Sequence, residues 1–214
     1  MAKIKVLGGT GYAGSNIVRE AVKRGHEVTS LSRNLPANPV DGATYITGSV
    51  FDSEFLASSV VDADVVIETL SPRGELTGKL EGVVAELLPL AAAAGARLGV
   101  VGGAGSLQVA PGGPRLMDVP EFPAEILPES QTGARLLEML QDAPAELDWF
   151  YVSPAGGFGD FAPGEATGSY RIGGEVLLVD AAGNSNISGA DFGLAVIDEV
   201  ESAAHRKQRF SVAY

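Results

Sequence analysis

Cysteine is absent from the chain, which excludes disulfides, thiolate catalysis, zinc–thiolate sites and iron–sulfur clusters. Histidine is nearly absent too: His26 and His205 lie far apart in the sequence, each beside basic residues. A histidine-based metal site or a Ser-His-Asp triad is therefore not expected. We predict that the protein binds no metal ion.

Long apolar runs and excess positive charge are also missing. The longest apolar stretch, Leu87–Ala94, is far shorter than the roughly 18 to 20 residues of a membrane-spanning helix. The net charge of −12 disfavours nucleic acid and anionic membranes, whose phosphates attract basic surfaces. The first residues lead directly into a strand pattern without the features of a signal peptide. We therefore expect a cytoplasmic protein with no nucleic-acid or membrane partner.

Strand and helix signals alternate along the chain, which has 214 residues, 45% of them hydrophobic. This alternation predicts one domain over residues 1–214, with a Rossmann-like, doubly wound, mostly parallel α/β sheet and helices on both faces. The predicted strands are Lys3–Leu7, Glu27–Leu31, Ala43–Ile46, Asp64–Glu68, Arg97–Val101, Leu147–Val152 and Phe210–Ala213. The predicted helices are Gly11–Arg24, a short one opened by Asp52, Leu76–Ala94, Gln131–Leu140 and Ala190–Ala203.

Two segments interrupt this alternation. Residues 102–129 contain five prolines, and residues 155–174 contain seven glycines. Both follow predicted strands at their C-terminal ends, where open α/β sheets bind ligands. Compact domains rarely keep such long loops without a use for them. We expect the two loops to form the substrate side, with a small C-terminal lobe over a small-molecule site.

A glycine-rich turn joins the first predicted strand to the first helix. In the sequence Gly8-Gly9-Thr10-Gly11-Tyr12-Ala13-Gly14, the glycines allow a sharp turn, a close approach to a phosphate and tight helix packing. The helix N-terminus offers free N–H groups and a positive dipole end to an anion. No Gly-Lys-Ser/Thr follows, which excludes a Walker loop. The turn predicts a dinucleotide diphosphate site, although a tight turn without a ligand would need similar glycines.

The residues after the second strand discriminate between the two nicotinamide cofactors. NAD-binding folds place an acid there, about 20 residues after the glycines, to bond the ribose hydroxyls. Here Leu31 is followed by Ser32, Arg33 and Asn34, with no acid. The Arg33 guanidinium suits a bidentate contact with a 2′-phosphate, and its neighbours add hydrogen-bonding groups. We predict NADP(H) as the preferred cofactor and NAD(H) as the alternative.

Over essentially its whole length, the chain resembles an atypical short-chain dehydrogenase/reductase. More narrowly, it is similar to the NmrA-like NAD(P)H-binding proteins of the NADH-flavin reductase type, which are related to biliverdin reductase B. The resemblance rests on the glycine turn and on six further stretches: Ser32–Asn34, Gly48–Asp52, Val101–Leu107, Asp148–Pro154, Pro163–Arg171 and Ile187–Asp191.

This resemblance implies cofactor contacts at the adenine end. Residues Thr10 to Ala13 would hold the diphosphate, and Arg33 would hold the 2′-phosphate. Ser49 and Val50 would border the adenine, although the family usually has aspartate at the position of Ser49.

It also implies contacts at the nicotinamide end. Leu70 and Ser71 would lie beside the ribose next to the nicotinamide, and Ser106 would lie close to the substrate as a candidate hydrogen-bond donor in catalysis. The nicotinamide pocket would be lined or closed by Gly102, Gly103, Ala104, Pro154 and Ala155.

One departure from the superfamily limits the chemistry. Typical members use a Tyr-x-x-x-Lys pair to transfer a proton, but the corresponding stretch here, Pro128–Arg135, contains neither residue type. Hydride transfer to a flavin-like, quinone-like or other conjugated acceptor needs mainly stacking at the right distance. A non-catalytic, NADP(H)-sensing regulator of NmrA type is the alternative. A nucleotide-sugar epimerase or dehydratase is disfavoured because such enzymes usually need the tyrosine. An oligomer is compatible with the sequence.

Several other polar or aromatic residues are interpreted structurally. Ser188 and Asp191 match the start of a capped helix. Trp149 belongs to the core, and Glu199 and Glu201 are interpreted as solvated helix charges.

Overall fold

The computed structural model describes residues 1–214 and contains eight strands and five α-helices. The strands are β1 (Lys3–Leu7), β2 (Glu27–Ser32), β3 (Ala43–Thr47), β4 (Val65–Glu68), β5 (Arg97–Val101), β6 (Trp149–Ser153), β7 (Arg171–Gly173) and β8 (Gln208–Ala213). The helices are α1 (Tyr12–Lys23), α2 (Ser53–Ser58), α3 (Leu80–Ala94), α4 (Leu127–Gln141) and α5 (Gly189–Ser202). None of the helices has the length and apolarity needed to cross a bilayer.

All eight strands form one sheet in the order β3-β2-β1-β4-β5-β6-β8-β7. Every neighbouring pair is parallel except β7 and β8, which are antiparallel. The strand order changes direction between β1 and β4, and open α/β sheets bind ligands outside the carboxyl ends of their strands at such a point. The predicted Rossmann-like, mostly parallel sheet is confirmed.

Two apolar clusters pack the helices onto the two faces of the sheet. In one, Ile17 and Val18 of α1 and Phe192 of α5 pack against Ile4 and other residues of the strands. The other contains apolar residues of α2, α3 and α4, together with the opposite face of the strands. Because side chains alternate between faces along a strand, the same short strands serve both clusters. Helices therefore cover both faces, as predicted.

Two helix starts lie four residues from their predicted positions. Helix α4 begins at Leu127 rather than Gln131, because Pro128 fits a first helical turn, where its missing N–H is not needed. Helix α3 begins at Leu80 rather than Leu76, because Gly78 has a positive φ of 66° that no α-helix accepts.

The two long loops contain more structure than predicted. Strand β7 lies within residues 155–174 and pairs with the end of β8, but its three residues show no apolar alternation. The loop after β5 is joined to the segment after β7: the Gln108 amide donates to the Glu175 carbonyl over 2.8 Å, and the Leu177 amide donates to the Gln108 carbonyl over 2.8 Å. The loop after β5 is therefore fixed to the segment that follows β7.

A buried ion pair ties α5 to the sheet. Arg97 Nη2 at the start of β5 donates to Glu199 Oε1 over 2.5 Å, and His205 Nδ1 lies 2.6 Å from Glu199 Oε2. The Glu199 side chain is 2% exposed, so its interpretation as a solvated charge is wrong. Burial disfavours its charged form, but hydrogen bonds from Arg97 and His205 outweigh this effect and lower the pKa of Glu199. Glu201, on the same helix, is 43% exposed, although it pairs with Arg24 and His26.

We predict that Glu199→Gln lowers the free energy of unfolding at pH 7 by up to about 3 to 5 kcal/mol. It removes the buried carboxylate that pairs with Arg97 and leaves only Asp148, whose Oδ2 lies 3.5 Å from Arg97 Nε. The matched variant Glu201→Gln changes the free energy of unfolding by about 1 kcal/mol or less. A carboxyl whose folded pKa is lowered stabilises above its unfolded pKa, and this stability is lost as pH falls through the folded value. Urea unfolding from pH 7 to acid pH therefore shows a steeper decline in wild type than in Glu199→Gln. Equal losses at pH 7 for the two variants would contradict the assignment.

Candidate cofactor and substrate site

The glycine turn has the geometry of an anion-binding helix start. Gly8 has a φ of +81°, and its amide donates to the Leu31 carbonyl over 2.8 Å. The Gly11 amide donates to the Gly8 carbonyl over 2.9 Å, which closes the turn. Helix α1 starts at Tyr12, and the amides of Tyr12, Ala13 and Gly14 in its first turn have no hydrogen bond to protein. These N–H groups suit the binding of a diphosphate.

Close packing explains why glycine is needed in this turn. A Cβ on Gly14 would overlap the carbonyl oxygen of Gly8, and a Cβ on Gly9 would overlap the hydroxyl of Ser30. A Cβ on Gly8 would lie 2.8 Å from Thr69 Oγ1, and Thr69 donates to the Leu7 carbonyl over 2.8 Å. Thr69 therefore supports the turn from β4, a role that its position after a buried strand did not reveal.

The side chain of Tyr12 connects the turn to the second long loop. Its Oη accepts from the Gly189 amide over 3.0 Å and donates to the Pro163 carbonyl over 3.4 Å. Its ring also packs edge-on against Phe158, with 5.2 Å between centroids. Tyr12, which was predicted to help hold the diphosphate, therefore also holds the loop that follows β6.

Asp191 anchors the same loop from α5. Its carboxylate accepts from the Thr167 amide over 2.7 Å, from the Gly168 amide over 2.9 Å and from Tyr214 Oη over 2.5 Å. Ser188 caps the helix by accepting from the Asp191 amide over 3.1 Å, as predicted. Burial acts against ionisation of Asp191, but these hydrogen bonds outweigh it and lower its pKa. The loop is held in place by a charged side chain.

On the adenine side, the predicted residues converge beside the end of β2. Ser32 Oγ accepts from the Thr10 amide over 3.3 Å, and the Ser32 carbonyl accepts from the Gly48 amide over 3.0 Å. The second bond brings the Ser49–Val50 segment next to the turn; Ser49 is exposed, and Val50 packs against the core. Asn34 is exposed, just beyond Arg33.

The guanidinium of Arg33 is accessible but paired. Its Nη1 donates to Glu75 Oε2 over 2.9 Å, and the two side chains are 63% and 68% exposed. An exposed pair of this kind contributes little to stability. A 2′-phosphate at this position would compete with Glu75 for the guanidinium.

The end of β4 lies beside the turn. Leu70 is half-buried, and its Cδ2 would lie 3.2 Å from a Cβ on Gly8, whereas Ser71 is exposed. Both predicted ribose contacts therefore border the point where the strand order changes direction.

The end of β5 provides an open, glycine-lined surface. Nothing lies within 4 Å of a Cβ built on Gly103, whereas a Cβ on Gly102 would overlap the Tyr151 hydroxyl. Ala104 is half-buried, and Pro154 at the end of β6 is buried. The structure thus brings the predicted nicotinamide residues together, with open space beside Gly103.

Tyr151 lies immediately behind this surface. Its Oη donates to the Gly133 carbonyl over 2.9 Å, and burial raises its pKa above the ordinary tyrosine range. Its phenol is therefore committed to structure and poorly suited to donate a proton. Helix α4, where the superfamily places its tyrosine and lysine, contributes only Thr132 and Arg135 to a cluster around Glu81.

Ser106 lies beyond Ala104 and is buried against a cation that sequence reasoning missed. Arg209 Nη1 donates to Ser106 Oγ over 2.8 Å. Because Ser106 accepts this bond, its own O–H remains able to donate. Arg209 also binds Glu175, with Nε 3.2 Å from Oε1 and Nη2 in contact with Oε2.

These groups belong to one transverse row of the sheet. Register pairing links Glu68, Val100, Tyr151 and Arg209 across β4, β5, β6 and β8. The Glu68 side chain is fully buried; its Oε1 accepts from the Leu70 amide over 2.6 Å, and its Oε2 has no partner. Burial raises the pKa of Glu68 to about 8. An acid at the end of a buried strand was the available signal for it.

Two surface depressions lie away from these residues. One, of about 260 Å³, borders the amino-terminal ends of β1 and β2, at the opposite edge of the sheet. The other, of about 310 Å³, is lined by Thr167, Ser169, Tyr170, Arg171 and Tyr214. Neither depression contains free helix-start amides such as those of the glycine turn.

The family model described as NAD(P)H-binding matches residues 8–202, so the chain belongs to this family. Protein YwnB of Bacillus subtilis (strain 168), itself uncharacterised, is 39% identical over 98% of this chain and 97% of its own length.

Two solved structures are similar over the whole chain. A candidate NADH-flavin reductase, SP1627 of Streptococcus pneumoniae TIGR4, is 35% identical with a TM-score of 0.88 over 100% of this chain and 99% of its own. A candidate epimerase of Bacteroides thetaiotaomicron is 34% identical with a TM-score of 0.87 over 100% and 97%.

We predict that Glu68 makes the protein less stable at alkaline pH. A carboxyl whose folded pKa is raised stabilises below its unfolded pKa, and this contribution is lost as pH rises through the folded value, by at most about 1.4 kcal/mol per pH unit. Urea unfolding between about pH 5 and pH 9 therefore shows declining stability in wild type, and Glu68→Gln removes most of the decline. The exposed variant Glu86→Gln keeps the wild-type slope. An unchanged slope in Glu68→Gln would refute the prediction.

Proposed function

We propose that the protein is an NADPH-dependent oxidoreductase that reduces a flavin-like, quinone-like or other conjugated small acceptor. The observation that carries this proposal is the open glycine surface at Gly103, which lies along the same sheet edge as the diphosphate turn. When bound, the nicotinamide supplies a hydride to the acceptor. The role of the chain is then to hold two flat rings in contact.

The residues of the site divide this role between them. The first-turn amides of α1 bind the diphosphate, and Arg33 binds the 2′-phosphate. Gly103 leaves space for the rings, Gly102 makes room for the Tyr151 phenol behind them, and Ser106 donates a hydrogen bond to the acceptor. Tyr151 is locked behind Gly102, so the proton that completes the reduction comes from water. Acceptors that carry their own redox chemistry can be reduced in a site that lacks a proton-donating side chain.

Names of similar proteins support this acceptor class in part. SP1627 is named for reduction of a flavin with NADH, whereas the acid-free end of β2 and Arg33 favour NADPH here. The epimerase name of the Bacteroides protein supports a different reaction. Epimerisation needs a group that removes and returns a proton, and Tyr151 is unsuited to this task.

The direct test mixes purified protein with NADPH and, separately, FMN, riboflavin and a set of quinones, and follows NADPH absorbance. Acceptor-dependent oxidation above the protein-free rate is expected with at least one of them. Tight NADPH binding without turnover of any acceptor would reject the reductase and favour the NADP(H)-sensing regulator. Absence of NADP(H) binding in calorimetry would reject both.

We predict that Arg33 and Glu75 set the cofactor preference in opposite directions. Arg33→Ala raises the NADPH dissociation constant about 10- to 100-fold, the value of a charge-assisted phosphate contact, and leaves NADH nearly unchanged. Glu75→Gln removes the competing carboxylate and lowers the NADPH dissociation constant by up to about fivefold. Calorimetric titration of each variant with both cofactors measures these changes. Parallel effects on NADPH and NADH would exclude a 2′-phosphate contact.

A further inference from the structure

Arg209 is a buried cation with an exposed counter-ion. Its side chain is 4% exposed, whereas the side chain of its partner Glu175 is 60% exposed. The two meet through the side of the guanidinium formed by Nε and Nη2, which is the geometry that binds a carboxylate or phosphate in two places. The third nitrogen, Nη1, is held by Ser106.

Glu175 is held there by few bonds of its own. The side-chain hydrogen bonds of Glu175 all go to Arg209. Its backbone is fixed separately, through the 2.8 Å bond from the Gln108 amide to the Glu175 carbonyl. The carboxylate can therefore rotate into solvent without disturbing the backbone hydrogen bonds between the loop after β5 and the segment after β7. Arg209 would then need another anion, because an unpaired buried charge is costly.

The position of this pair links it to the acceptor side of the site. Ser106 lies two residues after Ala104, at the end of the glycine surface after β5. Arg209 pairs in register with Tyr151, whose hydroxyl supports Gly102 from behind. An anion bound at Nε and Nη2 would thus lie beside the ring-binding surface, away from the diphosphate turn on β1.

We propose that Arg209 and Ser106 form an anion subsite for the acceptor, and that Glu175 occupies it until a carboxylate or phosphate of the acceptor takes its place. This inference rests on the proposed function and specifies its substrate class: conjugated acceptors with an anionic side group. The chain carries a net charge of −12, so a shielded cation offers such acceptors a local attraction that the surface as a whole does not. The subsite discriminates anionic from neutral acceptors because only an anionic group can pair with the buried charge of Arg209 in place of Glu175.

The test compares flavins that share one ring system and differ by a phosphate. Dissociation constants of oxidised FMN and riboflavin are measured by flavin fluorescence on the protein saturated with NADP⁺. Glu175→Gln is expected to lower the dissociation constant of FMN by up to about fivefold and to leave that of riboflavin unchanged. Arg209→Gln is expected to raise the dissociation constant of FMN about tenfold or more, to the value for riboflavin. Anthraquinone-2-carboxylate and its carboxamide form the carboxylate arm of the same test.

The control variant is Asp118→Asn, which removes one negative charge from the exposed Arg115–Asp118 pair in the loop after β5. If it lowers the dissociation constant of FMN as much as Glu175→Gln does, the effect is one of net charge and the proposal is overturned. It is also overturned if Glu175→Gln leaves the dissociation constants of FMN and anthraquinone-2-carboxylate unchanged, or lowers that of NADPH instead. Should Arg209→Gln fail to fold, the exposed Glu175 variant decides.

Binding and turnover separate this proposal from the proposed function. Selective binding of anionic probes without their reduction by NADPH would support the subsite and reject the reductase. If NADPH reduces both FMN and riboflavin, and if their dissociation constants are equal and unaffected by either variant, the reductase is supported and the subsite is rejected.

Discussion

The approach of Gly14 to the carbonyl oxygen of Gly8 determines how closely α1 packs on the sheet. Any side chain at position 14 would push the helix away and turn its first amides from the carboxyl edge of β1. Because α5 packs beside α1 on the same face, and Tyr12 and Asp191 anchor the loop after β6, that spacing extends to the substrate side. The glycine turn and the loop after β6 are thus parts of one packing arrangement.

Ionisable groups at this edge are distributed unevenly. The exposed charges, such as Arg33 with Glu75, lie at the adenine end, where a phosphate can exchange with a carboxylate. The buried ones, Glu68, Tyr151 and Arg209, form a row behind the predicted nicotinamide end. Burial keeps Glu68 neutral over much of the physiological range and keeps Tyr151 from ionising. The surface proposed to face the rings is therefore mostly backbone, and under this proposal its selectivity would depend on shape and on Arg209.

The sequence predicted features that depend on local pattern. Strand positions and the glycine turn were recoverable because their signals lie within a few residues, and the alternation of strands and helices was enough for the sheet type. The start of α4 was misplaced because a proline suits both a loop and a first helical turn. Arg209 and Tyr151 were missed because their partners, Ser106 and Gly102, are distant along the chain. Glu199, on α5, was misjudged for the same reason, since its partner Arg97 lies far away in the sequence, on β5.

The contact between Gly102 and Tyr151 has a consequence for how this site can vary over time. No side chain fits at position 102 while the phenol is present, and removal of the phenol opens a cavity behind the surface and frees the Gly133 carbonyl. Each single replacement is therefore harmful, whereas a joint replacement of matched volume restores the packing. The two positions are coupled and are expected to change together or not at all, because the glycine at the surface is required by the tyrosine beneath it.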